Sequence, residues 1–276
     1  MTGLDLRPLT LGEILDRTFS LYRSHFLLFL GITGIPQILI LAVQLPQMAL
    51  EQYYPRSFVL SSLNGVAFIL GLAIVSIVAY LFSQGGTVLA VSEIYLGRGI
   101  TIAEALQRVR GNLGFLFGVA ILNFLAVVGA LFLLIIPGIY VACRLLVCVP
   151  VALIEERGPR DSLSRSWDLT SSFAGRAFMI FLLYVAIAFA ANLLFVSPFS
   201  VGMATALKNP SILWFWMVLT QLGSRAAAIL TQPILLIATA IFYYDLRVRK
   251  EAFDLQFMMN PGAPPSAGPG SVPSIL

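Results

Sequence analysis

The chain has 276 residues, 59% of them hydrophobic and 11% charged, with a mean hydropathy of +0.92; a water-soluble domain carries about 25% charged residues, so an ordinary soluble globule is excluded. The net charge of +4 and pI near 9.3 raise nucleic acid as a partner, but the basic residues are spread over four loops and match no nucleic-acid module, so none is expected. A single histidine, His25, excludes a multi-histidine metal centre, and Cys143 and Cys148 have the spacing of neither a zinc site nor a disulfide framework; neither metal nor cofactor is expected.

The first 24 residues contain acids and arginines without a central apolar block, which is the wrong layout for a cleavable signal peptide. They do contain a helix start. Thr10 stands three residues before Glu13, the spacing of a capping box, and Leu11, Ile14, Leu15, Phe19 and Tyr22 recur at helical spacing. Glu13 and Arg17 are four apart in the orientation that favours an ion pair.

About 20 apolar residues cross a hydrocarbon core of roughly 30 Å. The runs that qualify predict six spans: residues 26–47, 60–83, 112–135, 139–155, 177–197 and 224–244. The third and fourth form a hairpin, with Pro137-Gly138 as its tight turn. Pro36, Pro150 and Pro233 fall inside spans and are expected to kink them. Residues 211–222 hold Trp214, Phe215 and Trp216, side chains favoured at the headgroup level. They are read as interfacial or as an extension of the last helix, with a seventh span as the competitor.

Charge decides that competition. Arg7, Arg17, Arg23, Arg98, Arg108, Arg110, Arg157, Arg160, Arg165, Arg176, Arg247, Arg249 and Lys250 fall on one side of a six-span chain; Arg56 and Lys208 fall on the other. This is the positive-inside pattern, with both termini in the cytoplasm of a bacterial cell. A seventh span would carry Arg247, Arg249 and Lys250 outside.

The acid–Leu–Arg layout of Glu13 to Arg17 returns in Glu104 to Arg108, after Thr101, and in Asp161 to Arg165. These three segments are expected to be amphipathic helices lying in the membrane plane with their apolar faces among the headgroups. Each precedes two spans, which suggests three units of one surface helix and two transmembrane helices. Any juxtamembrane helix selecting the same residue types explains the pattern equally well.

Arg144 and Arg225 lie within or at the edge of spans, where ionisable groups are costly and often functional. They form either a shared cationic outer cavity for an anionic headgroup or solute, or two side chains that snorkel to the outer interface. No Gly-x-Ser-x-Gly, His-Glu-x-x-His or Walker A sequence is present. Residues 256–276, rich in Pro and Gly, are expected to be a disordered tail behind a membrane domain of residues 1–255.

Four stretches form a set: Pro8 to Arg23, Ile136-Pro137-Gly138-Ile139-Tyr140 with Arg144 and Glu155 after it, Ser164 to Thr170, and Tyr243 to Leu255. Together they resemble the bacterial family of the glycerophosphoryl diester phosphodiesterase membrane domain, over essentially residues 7–255. The resemblance implies six spans and an inner-membrane location. It supplies no catalytic residue, because no phosphodiesterase domain accompanies the membrane part. The chain therefore reads as an all-α polytopic membrane bundle that is not an enzyme. It is expected to contact membrane lipids or to serve as a scaffold for another membrane protein; the alternative is a transporter or flippase-like protein for an anionic substrate.

Overall fold

A computed structural model describes residues 7–53, 63–206 and 210–251. Among these the chain is all-helical: α1 (Leu11–Ser24), α2 (Phe26–Tyr53), α3 (Leu63–Tyr95), α4 (Ile102–Gly111), α5 (Leu113–Leu133), α6 (Ile135–Arg144), α7 (Cys148–Ile154), α8 (Pro159–Leu169), α9 (Ala174–Phe195), α10 (Ser197–Thr205) and α11 (Pro210–Glu251). Six stretches are long and apolar enough to cross a membrane, matching the six expected spans; α6 and α7 together make the fourth. The tail at residues 256–276 lies outside the described residues.

Each of the three expected units is present, and they surround a common centre. The second spans, α3, α7 and α11, touch one another, while α2, α5 and α9 pack outside them. Burial follows this order. α11 is the most enclosed stretch and α9 the least, with its apolar surface left for lipid. Apolar packing against lipid tails gains little for helix association, so close van der Waals fit and polar contacts carry it. At Gly223 of α11 a Cβ would stand 2.0 Å from the Phe195 carbonyl oxygen of α9, so only glycine lets the two backbones meet. Gly223→Val is expected to cost about 1–3 kcal/mol or more, read as a lower melting midpoint in detergent. Gly129→Ala, with no atom within 4 Å of the added carbon, is expected to leave the midpoint unchanged.

Several boundaries differ from the sequence reading for identifiable reasons. The hairpin turns at Leu134, which is extended (φ −165°, ψ 154°), and not at Pro137-Gly138. Pro137 is the third residue of α6, where a missing N–H costs nothing. Gly138 lets the arms close, since its Cβ would lie 2.9 Å from the Leu131 Cα. Pro150 does not kink a continuous span. It sits in the first turn of α7, and the chain leaves the helix at residues 145–147 just before it, because its ring excludes the carbonyl four residues earlier. Residues 211–222 extend the last helix, the second of the two placements expected for them. α10 continues the third outer hairpin and was not foreseen.

The amphipathic helices form where expected, but their apolar faces meet protein. Ile14 of α1 and Val109 of α4 are fully buried. α1 does not lie across the bundle. The Leu9 N–H donates to Asp245 and the Tyr22 hydroxyl to the Leu230 carbonyl, so α1 runs antiparallel beside α11. Thirteen residues of one and fifteen of the other cover matching lengths of about 20 Å at 1.5 Å per residue. Burying Ile14 from water contributes about 1.5–3 kcal/mol, a gain an in-plane helix would take from lipid instead.

The capping boxes at Thr10 and Thr101 are both complete. Glu13 accepts from the Thr10 N–H and hydroxyl at 2.7 and 2.9 Å. These bonds, first the backbone one, then the hydroxyl and Arg7, hold its carboxyl at about 2 against an ordinary 4.5. The folded form is the one that binds the proton less well, so the cap's contribution is full above pH 4.5 and is lost as pH falls towards 2. The protection factors of the first-turn amides of α1, taken relative to the unfolded chain at each pH, are expected to hold at pH 6 and to fall below pH 4, and Glu13→Gln is expected to remove that fall.

Candidate functional site

The charged residues gather at the end of the bundle where α1, α4 and α8 lie. Three carboxylates there belong to the central helices or their ends, and each binds the unit that follows. Glu93, near the end of α3, takes Arg108 of α4 at 2.7 Å and Arg98 at 4.0 Å. Glu155, at the end of α7, takes Arg165 of α8 at 3.0 Å and Arg157 at 2.8 Å, and accepts from the Tyr243 hydroxyl at 3.0 Å. Asp245 of α11 accepts from the Leu9 N–H at 2.7 Å and pairs with Arg249 at 2.9 Å and Arg176 at 3.6 Å. The last of these ties the end of the third unit to the start of the first, so the three links close a ring.

The ring is dry where it is most charged. The Glu155 and Asp245 side chains are 1% and 0% exposed, a placement tolerated only when the charge is paired and its lone pairs are filled. Glu251 extends the Glu155 cluster by pairing with Arg165 and, at 3.0 Å, with Arg247. Arg247 is itself fully buried and donates to the Tyr243 hydroxyl at 3.4 Å. Tyr244 donates to the Ser92 hydroxyl at 2.9 Å and stacks on Tyr95, with ring centroids 5.3 Å apart.

Glu13, Glu104, Arg108 and Arg165 take closer partners than the expected residue four positions away, while the Arg108 charge still favours the ionised Glu104. A capping box turns the acid back towards its own N-cap, away from the residue four positions on. Glu13 therefore faces Thr10 and Arg7, and Glu104 faces Thr101, with its carboxyl held below the ordinary range mainly by the backbone bond. Asp161 sits in the first turn of α8 beside Gly158, where the helix dipole favours a negative charge. Two of the arginines reach other elements: Arg108 bonds Glu93 and Arg165 bonds Glu155 and Glu251, while Arg17 lies beside Tyr95.

Arg144 and Arg225 share no partner. Arg144 is buried and turns towards α8, donating to the carbonyls of Trp167 at 2.7 Å and Ser171 at 3.3 Å and to the Tyr140 hydroxyl at 2.9 Å. Its guanidinium lies 4.3 Å from the Trp167 ring centroid. It thus satisfies the carbonyl end of α8. In return, the Ser166 and Thr170 hydroxyls donate to the Arg144 carbonyl at 2.9 and 2.8 Å, which the break after α6 would otherwise leave empty. Arg225 is held by amides: it donates to Gln37 at 2.9 Å and Gln44 at 2.7 Å, and Gln37 donates on to Gln232 at 3.0 Å. The nearby Thr33 hydroxyl, 3.3 Å from the Ile229 carbonyl, fills the acceptor that Pro233 leaves unpaired four residues on.

The acids of the ring, Glu93, Glu155, Asp245 and Glu251, are paired with guanidinium groups, and Cys143 and Cys148 are buried thiols. Among the described residues no cluster of His, Cys, Asp and Glu could hold a metal ion. The sequence did not single out Glu155, Asp245 and Arg247 as a site; the available signal was an acid at the end of an apolar span with an arginine on the next surface helix. The chain matches no family model, no curated protein and no solved structure.

Proposed function

We propose that this is a non-enzymatic, multi-pass protein of a bacterial inner (plasma) membrane that binds anionic lipid headgroups at its basic end and forms a rigid platform there for a partner membrane protein. The charge distribution supports a cytoplasmic location for both termini. The resemblance to the glycerophosphoryl diester phosphodiesterase membrane domain family is part of the same proposal, and no phosphodiesterase activity is carried over from it.

One observation carries the reading. The buried arginines of the ring are committed to carboxylates and carbonyls, whereas Arg98 and Arg108 are 66% and 52% exposed while still anchored on Glu93, with exposed Arg110 beside them. Three exposed cations, two of them anchored on Glu93, suit a phosphate-bearing surface, where each contributes about 1 kcal/mol near anionic lipid. Transport of an anionic substrate would need Arg144 and Arg225 along one path, and their partners lie on different elements.

The test is purification in native-lipid particles with mass spectrometry of the co-purified lipids and proteins. Anionic lipid is expected to be enriched over a control membrane protein, and Arg98→Gln/Arg108→Gln/Arg110→Gln to lose at least half of that enrichment. Equal lipid around this protein and the control, with no partner recovered, would falsify the proposal.

A further inference from the structure

We infer that Arg225, Gln37 and Gln44 form a phosphate-binding site towards the end of the bundle opposite the charged ring. It is separate from the exposed arginines of the basic end. A lipid headgroup and inorganic phosphate offer the same chemistry there.

α9 fixes the level of the site. At its start Arg176 pairs with Asp245 at 3.6 Å, and at its end the Phe195 carbonyl meets Gly223. Its 22 residues form one of the six candidate spans. At 1.5 Å per residue they cover about 33 Å, a full hydrocarbon core. Arg225 is two residues from Gly223 on α11, so it stands near the level where that span leaves the hydrocarbon. Headgroup phosphates of the far leaflet begin at this level.

The partners of Arg225 are all neutral. It donates to the Gln37 and Gln44 oxygens at 2.9 and 2.7 Å, and Gln37 is fixed in turn by donating to Gln232 at 3.0 Å. The other enclosed arginines differ. Arg165 and Arg247 lie on carboxylates, and Arg144 lies on the carbonyl end of α8 and the Trp167 ring. Among the described residues Arg225 has no carboxylate partner. Amides orient a guanidinium, but a charge at a membrane boundary is stabilised most by an anion.

Hydrogen bonding points the same way. A guanidinium has five N–H groups and no acceptor, and the two glutamine oxygens take one from each Nη. The Nε–H is enclosed with no acceptor in reach, while the residue keeps part of its surface open. One N–H on each Nη remains for a phosphate oxygen. Gln232, Arg225, Gln221 and Trp214 follow one another along α11 at steps of seven, four and seven residues, which places them on one face. At the outer end of that face the Trp214 Nε1–H is also enclosed without an acceptor. Donors exceed acceptors along this face, and phosphate supplies acceptor oxygens together with negative charge.

The test uses the full chain carrying Arg98→Gln, Arg108→Gln and Arg110→Gln. These changes remove the exposed cations of the basic end, so a failure of the site there and a failure of this one are read separately. In maltoside detergent, which holds no phosphate, dioleoylphosphatidylglycerol and inorganic phosphate are titrated in turn. Bound lipid is counted by native mass spectrometry and bound phosphate by equilibrium dialysis; dioleoylglycerol, with the same chains and no phosphate, is the blank. Saturable binding of at least one phosphate probe is expected, and Arg225→Gln is expected to weaken it about tenfold or more, the worth of one hydrogen bond to a charged group. Lipid binding alone assigns the headgroup; binding of inorganic phosphate, alone or in competition with lipid, assigns the soluble source. Gln44→Glu is the second variant and serves even if Arg225→Gln does not fold. It gives the guanidinium a carboxylate of its own, and is expected to hold or raise the melting midpoint and to abolish binding. An arginine with a structural role alone would take that carboxylate with no change in binding. No saturable binding, binding that either folded variant leaves unchanged, or equal uptake of dioleoylglycerol and the phosphatidylglycerol overturns the inference.

Discussion

Replacing Glu155 by glutamine is expected to remove on the order of 3–5 kcal/mol of stability, the largest loss from any conservative change in this chain. The carboxylate is 1% exposed and receives Arg157, Arg165 and the Tyr243 hydroxyl. Glutamine keeps the size and one acceptor oxygen but takes the counter-charge from Arg157 and leaves Arg165 with Glu251 alone. The measurement is the melting midpoint in detergent or the midpoint of unfolding by a denaturing detergent. Arg165→Gln should be destabilising too. The double variant should lose less than the sum of the two, because a partner already removed cannot be orphaned again. Additive losses would mean that the two side chains act separately and that the cluster is not one unit.

Asp245 tests a different bond in the same ring. Asp245→Asn keeps an oxygen for the Leu9 N–H and removes the charge that holds Arg176 and Arg249. Asp245→Leu removes both. Loss of a hydrogen bond to a charged group is worth about 1.5–3 kcal/mol, so asparagine is expected to cost roughly that much and leucine more. The specific readout is tryptic cleavage after Arg17 and Arg23. Release of α1 from α11 should raise it several-fold with leucine and less with asparagine. A melting midpoint that falls with no change in cleavage would place the effect elsewhere than at the α1 contact.

The apolar runs located six spans because lipid demands long uninterrupted stretches, and no other class of chain satisfies that demand at this composition. The capping boxes at Thr10 and Thr101 were equally legible, being local and four residues long. What eluded sequence reading was the destination of the charges. Glu13 and Arg17 have ideal helical spacing, yet the cap and Arg7 take the acid. Arg144 reads as an outer cation by counting from the expected turn, but the chain leaves the helix before Pro150 and α8 folds back beside it, so its guanidinium ends on Trp167 and Ser171. Partners such as Glu155 with Tyr243, or Leu9 with Asp245, are separated by 88 and 236 residues. No local spacing rule connects them.

The contact between Leu9 and Asp245 also sets an order of events during synthesis. α1 emerges first, but the Asp245 of α11 that it docks against lies 236 residues later than Leu9. For nearly the whole of translation α1 must wait, and its self-sufficient cap is what keeps it helical meanwhile. Closure of the ring can then follow only once α11 is made. A chain halted at Thr205 should insert its earlier spans yet leave α1 open to protease. That one hydrogen-bonded carboxylate is thus a mark that α11 has arrived and docked.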